Sequence, residues 1–154
     1  MSVTDYIGRT VDVLAYQGAD PSKNVELVQS LALPGEGGRM VTGVQKLVQR
    51  FLLYLFTDAG SMPYSPEVGT TFMQELNSGA LQNQVDVFQA FSRAITSVRT
   101  QLREAELTTD PDDEKFSSAT LNSVTIHDRQ ISAHVTLTSA ATSVNFIVPI
   151  KTTL

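Results

Sequence analysis

The segment of residues 42–57 carries the pattern that most constrains how this chain folds. Six of its apolar residues recur at spacings of three and four, the period of one face of an amphipathic helix: Val44, Leu47, Val48, Phe51, Leu52 and Leu55. Thr42 stands where an N-cap residue is expected. Burying these side chains is worth about 9–18 kcal/mol before the entropy of ordering is subtracted. We therefore expect this helix at the centre of the core.

A second long helix is predicted over residues 83–107. One stripe of this helix, apolar except for Ser92, is expected to comprise Val85, Phe88, Ser92, Ile95, Val98 and Leu102, with Phe91 beside it. Between the two helices, residues 57–69 hold two glycines and two prolines, which disfavour both helix and central strand. We predict a shaped loop there, in which Gly60 stops the first helix, and a short helix over residues 72–76.

The period changes in the last third of the chain. Apolar and polar residues alternate in three runs separated by turns at residues 127–130 and 139–142, which predicts an antiparallel β meander with one apolar face. In the last two runs that face consists of Ile131, Ala133, Val135, Leu137, Val144, Phe146, Val148 and Ile150. Since Pro149 has no backbone donor, the last strand is predicted to be an edge.

Residues 1–40 show no helical period and contain turn clusters. We interpret them as an arm or ribbon that packs on another chain, and an N-terminus without fixed structure is the alternative. The predicted fold class is α+β, with two main helices packed on a small C-terminal antiparallel β meander and an extended N-terminal arm. Residues 41–154 are predicted to form one domain, which fits a chain of 154 residues.

Composition and charge exclude several classes of protein. The net charge of −5 argues against general nucleic-acid binding, and the absence of cysteine excludes disulfides, thiolate nucleophiles and cysteine-ligated zinc. Residues 47–56 form the most apolar stretch, far short of the roughly 20 residues that a membrane span requires. The N-terminal residues lack the basic flank and apolar run of a signal peptide. We expect production in the cytoplasm and no membrane partner.

No residue pattern indicates a cofactor or a metal. His127 and His134 are the only histidines, and they lack a third ligand. Residues 110–121 begin like a calcium loop, but Lys115 and Leu121 occupy its sixth and twelfth positions. Glu67 and Glu75 lie in or near the shaped loop with Asp58 close by, and paired carboxylates of this kind are the arrangement that hydrolyses glycosides.

The polar face of the predicted meander consists mostly of Ser and Thr, with few charges that would repel another strand. An exposed edge of this kind favours pairing with a strand from a partner. An ordinary edge strand is the alternative interpretation.

Three segments together resemble a known family. The sequence GVQKLVQRFL of residues 43–52, then Thr57-Asp58-Ala59-Gly60-Ser61, then Pro66-Glu67-Val68-Gly69-Thr70, resemble in order and spacing the contractile-tail baseplate wedge family of bacteriophages. Members are called sheath initiators, and the type VI secretion subunit TssE is similar. The resemblance covers residues 40–150. Val68 stands where an aromatic is common, and residues 104–112 lack the Glu-Pro-Arg signature that ends the second helix in many relatives.

The resemblance implies a structural protein, not an enzyme, which is assembled in the host cytoplasm and resides in the tail baseplate of the virion. About six copies would form a ring and bind the tail sheath protein, baseplate wedge proteins and tail tube or hub proteins. The expected sheath-binding strands are residues 131–138 and 144–150, and the expected wedge or tube contacts are Gly60, Ser61, Pro66 and Gly69. The alternatives are a tail-associated lysozyme-type hydrolase that uses Glu67 or Glu75, and a small anti-adaptor-like regulatory binder of the same fold.

Overall fold

The computed structural model describes residues 12–13, 16–17, 28–29 and 40–151, with side chains described from Val41 onward. Two short antiparallel ladders precede the first helix: Asp12–Val13 (β1) pairs with Met40–Val41 (β4), and Tyr16–Gln17 (β2) pairs with Val28–Gln29 (β3). Most of the predicted arm lies outside the described residues.

Three helices follow the ladders: Gly43–Phe56 (α1), Phe72–Asn77 (α2) and Gln84–Glu104 (α3). α1 buries the predicted apolar face, with Val44 only half-buried. It ends at Phe56, where the N–H and the hydroxyl of Thr57 both donate to the carbonyl of Leu53. The predicted helix stop at Gly60 is therefore wrong, because α1 already ends at Phe56 with Thr57 as its C-cap.

The buried face of α3 differs from the predicted stripe in its N-terminal half. Val85 is 63% exposed and Phe88 is 39% exposed. The side chains that face the core are Val87, Ala90, Phe91, Ala94, Ile95, Val98 and Leu102. At about 3.6 residues per turn, Phe88 falls at the margin of this buried arc and Val85 lies beyond it.

The C-terminal part of the chain forms the predicted meander. Phe116–His127 (β5), Gln130–Ser139 (β6) and Ser143–Lys151 (β7) pair as an antiparallel sheet in the order β5-β6-β7. β5 begins at Phe116, five residues before Leu121, where the alternation of the first run becomes visible in the sequence. Register shifts at residues 116–118 and 121–123 interrupt the alternation of buried and exposed side chains. The start of β5 could therefore not be recognised from the sequence pattern.

The helices pack on one face of this sheet. Phe51 of α1 meets Phe146 of β7 edge to face, with ring centroids 6.0 Å apart, and Phe72 of α2 meets Phe91 of α3 at 5.2 Å. A single cluster of buried side chains joins the three helices to β5, β6 and β7. The predicted α+β fold class is confirmed.

Candidate interaction site

β6 is the central strand of the sheet, and both of its sides are occupied. It pairs with β5 from Gln130 to Ser139 and with β7 from Gln130 to Thr138. A foreign strand has no free backbone to pair with at residues 131–138. This half of the predicted pairing surface is excluded by the position of β6 in the sheet.

The apolar side chains expected to bind sheath strands belong to the core. All eight are at most 5% exposed: Ile131, Ala133, Val135, Leu137, Val144, Phe146, Val148 and Ile150. They face the helices, because the sheet is stabilised by burying one face. Contact with a partner strand is therefore left to the backbone of β7.

β7 is a regular edge strand. Its register with β6 runs without interruption from Lys151 to Ser143, and no strand among the described residues pairs with its other side. The described segments of the N-terminal region pair with each other instead. A regular edge with unpaired backbone groups is the structure to which another strand can add.

The turn before β7 determines which of its backbone groups face outward. Ser139 N–H donates to Thr142 C=O at 2.8 Å, which makes the neighbouring residues Thr138 and Ser143 a non-hydrogen-bonded pair. Because the two kinds of pair alternate, the N–H and C=O groups that point toward β6 are those of Val144, Phe146, Val148 and Ile150. The groups that point outward are those of Ser143, Asn145, Ile147, Pro149 and Lys151.

Pro149 occupies one of these outward positions. Its missing N–H therefore removes no hydrogen bond from the ladder between β6 and β7. The prediction that the strand with Pro149 is an edge is confirmed by the strand order.

The N-terminal end of β5 is covered by side chains from α3 and the loop that follows it. Phe116 N–H donates to Glu106 Oε2 at 3.0 Å, and Ser117 C=O accepts from Arg103 Nη2 at 3.1 Å. The two register shifts also disturb this strand. Bulges and covering side chains are common means of blocking edge pairing. Of the two edges, β7 is the better acceptor.

Three of the four predicted loop contacts are exposed residues that also form the turns of the loop. Gly60 N–H donates to Pro66 C=O, and Ser61 N–H donates to Asp58 C=O, both at 3.0 Å. Gly60 has a φ of 82°, which favours glycine. Gly60, Ser61 and Pro66 thus lie on an accessible surface that backbone hydrogen bonds hold in shape.

Gly69 has a structural role instead. It is buried with a φ of 102°, and a Cβ atom there would collide with the backbone carbonyl of Thr57. The side-chain amide of Gln101 holds its backbone from α3: Oε1 accepts from Gly69 N–H and Nε2 donates to Gly69 C=O, both at 2.8 Å. Gly69 is therefore removed from the predicted contact surface, and it fixes the loop to α3.

Sequence reasoning missed the residues at the tip of this loop. Tyr64 is 99% exposed and Met62 is 46% exposed, on a loop whose base is closed by hydrogen bonds between Thr70 and the backbone of Thr57 and Ala59. The available signal was an aromatic residue between Pro63 and Pro66, in a segment with no period that would bury it. Exposed Tyr and Met side chains are typical of protein interfaces.

Glu114 is a buried carboxylate at the start of α1, with a side chain 1% exposed. It accepts from Lys46 Nζ at 2.9 Å, Thr42 Oγ1 at 3.0 Å and Gly43 N–H at 3.1 Å. Burial raises the pKa of Glu114, but hydrogen bonds from Lys46, Gly43 and Thr42 outweigh burial, so the net pKa is lowered. The predicted N-cap Thr42 has the right position, but its hydroxyl donates to Glu114 and makes no cap hydrogen bond within the helix.

The two carboxylates considered for hydrolysis have different surroundings. Glu75 Oε2 lies 2.8 Å from Arg93 Nη2, and its Oε1 accepts from Thr71 Oγ1 at 2.8 Å, whereas Glu67 is exposed on the loop. A hollow of about 350 Å³ opens on the outer face of the sheet, and neither carboxylate lines it.

Within residues 40–151, no three His, Asp or Glu side chains form a group that could hold a metal ion. The helices of the same part of the chain include none with the length and apolar character of a membrane span. Comparisons with known protein families, with curated proteins and with solved structures give no match.

Proposed function

We propose that this chain is a structural baseplate protein of a contractile phage tail, which anchors and nucleates the tail sheath by accepting a strand at the outer edge of β7. The observation that carries the proposal is the regular register of β7, with no partner strand on its outer side among the described residues. The motifs shared in order with the baseplate wedge family support the biological setting. The partners in this proposal are the sheath protein, baseplate wedge proteins and tail tube or hub proteins.

The free energy of strand pairing favours a contact that is repeated in a ring of copies. An added strand of about five residues would form about five backbone hydrogen bonds, each worth about 0.5–1.5 kcal/mol net. The costs of association consume much of this gain, so one joint is weak. Copies held in a ring strengthen one another through effective concentration.

The loop of residues 58–70 is the proposed contact with wedge or tube proteins. It presents Gly60, Ser61 and Pro66 together with Tyr64, the most exposed large apolar side chain of the described residues. The hydrogen bonds of Gln101 hold the loop in place before any partner binds. A loop that is already ordered loses little entropy on binding.

The experiment combines the full chain with the sheath protein encoded in the same genome and measures sheath polymerisation. Truncation before β7 would also remove buried side chains, so the variant of choice is Ile147→Lys, which places a charge on the outer face of the proposed edge. Thr125→Lys on β5 is the matched control. We expect Ile147→Lys to impair sheath nucleation and Thr125→Lys to leave it unchanged. No association with the sheath protein, or equal effects of both variants, would contradict the proposal.

Two outcomes would support other functions. Turnover of peptidoglycan by the purified chain, abolished by Glu67→Gln or Glu75→Gln, would replace the structural role by that of a hydrolase. A stable monomer that binds a soluble regulatory protein, in a genome without tail genes, would favour the regulatory binder.

A further inference from the structure

We infer that the partner strand pairs with residues 143–148 only, and that Pro149 ends the pairing site. This inference rests on the proposed function. It adds the position, the length and the side-chain chemistry of the strand that β7 would accept.

The outward backbone groups of β7 are not equivalent along the strand. Asn145 and Ile147 each present an N–H and a C=O outward, so each can exchange two hydrogen bonds with a partner strand. The next outward position is Pro149, which offers a carbonyl but no N–H. A partner strand that continued past residue 148 would place one of its own carbonyls against the pyrrolidine ring, without a donor.

The other end of the site is set by the hairpin. The Oγ atoms of Ser143 and Thr138 lie 3.0 Å apart across the first pair of the strand, and the turn of residues 139–142 follows directly. The site therefore runs from the hairpin to Pro149. It accommodates a strand of about five to six residues, or about 17–20 Å at about 3.4 Å per residue.

The core face and the outer face of the sheet at β7 fit different side chains of the partner strand. Side chains opposite Val144 and Phe146 would lie on the core face of the sheet, where these two residues are 5% and 3% exposed, so apolar residues fit there. Apolar partner residues at these positions would extend the layer that packs on the helices.

On the outer face, the partner would lie beside Asn145. The Oδ1 of this residue accepts from Thr136 Oγ1 at 2.6 Å, and Thr136 Oγ1 accepts from Asn122 Nδ2 at 2.7 Å, which forms a polar chain across all three strands. Small polar side chains continue this chain without a charge. The partner strand is thus an uncharged, proline-free segment of the sheath protein in which apolar residues alternate with Ser, Thr or Asn.

Hydrogen exchange tests the boundary on the unmodified chain. In the complex with the sheath protein, the amide protons of Asn145 and Ile147 should exchange at least tenfold more slowly than in the free chain, since they gain partners. The amide of Lys151, beyond Pro149, should exchange at its free rate. Protection of Lys151 equal to that of Ile147 would overturn the inference, as would unchanged exchange at Asn145 and Ile147.

Two substitutions test the same boundary by affinity. Ile147→Pro removes a backbone donor that points outward, as Pro149 already does, so the hydrogen bonds with β6 are kept. Binding should weaken by at least the roughly two- to tenfold that one hydrogen bond is worth. Pro149→Val restores an outward donor and should strengthen binding by about two- to tenfold, the worth of one hydrogen bond. Unchanged affinity in Pro149→Val would overturn the inference, even where Ile147→Pro does not fold.

The two levels of the proposal fail in different ways. A wild-type chain that does not bind the sheath protein contradicts the proposed function. A wild-type chain that binds it, with Lys151 protected or with Pro149→Val unchanged, contradicts only the boundary at Pro149.

Discussion

Glu114→Gln is the substitution that should destabilise this fold most specifically. The carboxylate accepts three hydrogen bonds, one from the ammonium group of Lys46, and its side chain is 1% exposed. Removing one partner of a buried ion pair costs about 3–5 kcal/mol. We expect the lower end, about 3 kcal/mol, because the amide oxygen of glutamine can still accept a hydrogen bond.

Thermal unfolding at neutral pH measures this loss. For a chain of this size, about 1 kcal/mol shifts the melting temperature by about 2–4 °C, so Glu114→Gln should melt about 6–12 °C lower than wild type. The control is Asp112→Asn, which removes an ion pair with Lys115. The side chain of Asp112 is 74% exposed. Because exposed pairs contribute little, this control should melt close to wild type.

The pH dependence gives a second readout. The pKa of Glu114 is lowered in the folded chain, so the unfolded state takes up the proton more readily. The stabilisation is fully present above the ordinary glutamate pKa of about 4.3 and is lost as the pH falls through the lowered folded value. The difference in melting temperature between wild type and Glu114→Gln should therefore shrink with acidification. A difference that is absent at neutral pH, or constant down to about pH 3, would refute this reasoning.

Two further predictions concern the loop. Gly69→Ala should lower the free energy of unfolding, measured in urea, by about 3 kcal/mol or more. The control Gly79→Ala is also at positive φ but has open space around it, so it should lower this free energy by only about 1–2 kcal/mol. Equal losses would show that the contact with Thr57 is unimportant. Tyr64→Ser should change the free energy of unfolding by less than about 0.5 kcal/mol, because the side chain is 99% exposed. Under the proposed function it should nevertheless lower incorporation of the chain into assembled baseplates, measured by mass spectrometry of purified tails. Normal incorporation would remove the loop tip from the proposed contacts.

α1 and α3 show which buried helix faces the periodicity of apolar residues can predict and which it cannot. The buried face of α1 was predictable because six of its apolar residues occupy one continuous arc. In α3, Val85 and Phe88 continue an apolar stripe that the core does not reach, and the small residues Ala90 and Ala94 are buried instead. The arc of a helix that becomes buried depends on where its neighbours lie, which periodicity does not encode.

The sheet likewise has features that the sequence pattern predicted and features that it did not. The alternation of apolar and polar residues and the turn residues predicted three strands, and Pro149 predicted that β7 is an edge strand. The difference between the two edges was not predictable, because Glu106 and Arg103, which lie after and at the end of α3, bind the backbone of the first two residues of β5. The prediction that residues 131–138 accept a strand failed because a meander places its second strand in the middle.

By itself, the sequence determined what depends on neighbouring residues: the periods of the helices and strands, the turns between them, and the position where a proline removes a donor. The tertiary structure decided what depends on residues that are distant along the chain. Glu114 reaches Thr42 across 72 positions, and Gln101 reaches Gly69 across 32. Such contacts form only when packing of the apolar faces brings the segments together, because a hydrogen bond acts over about 3 Å and sequence spacing carries no information at that range.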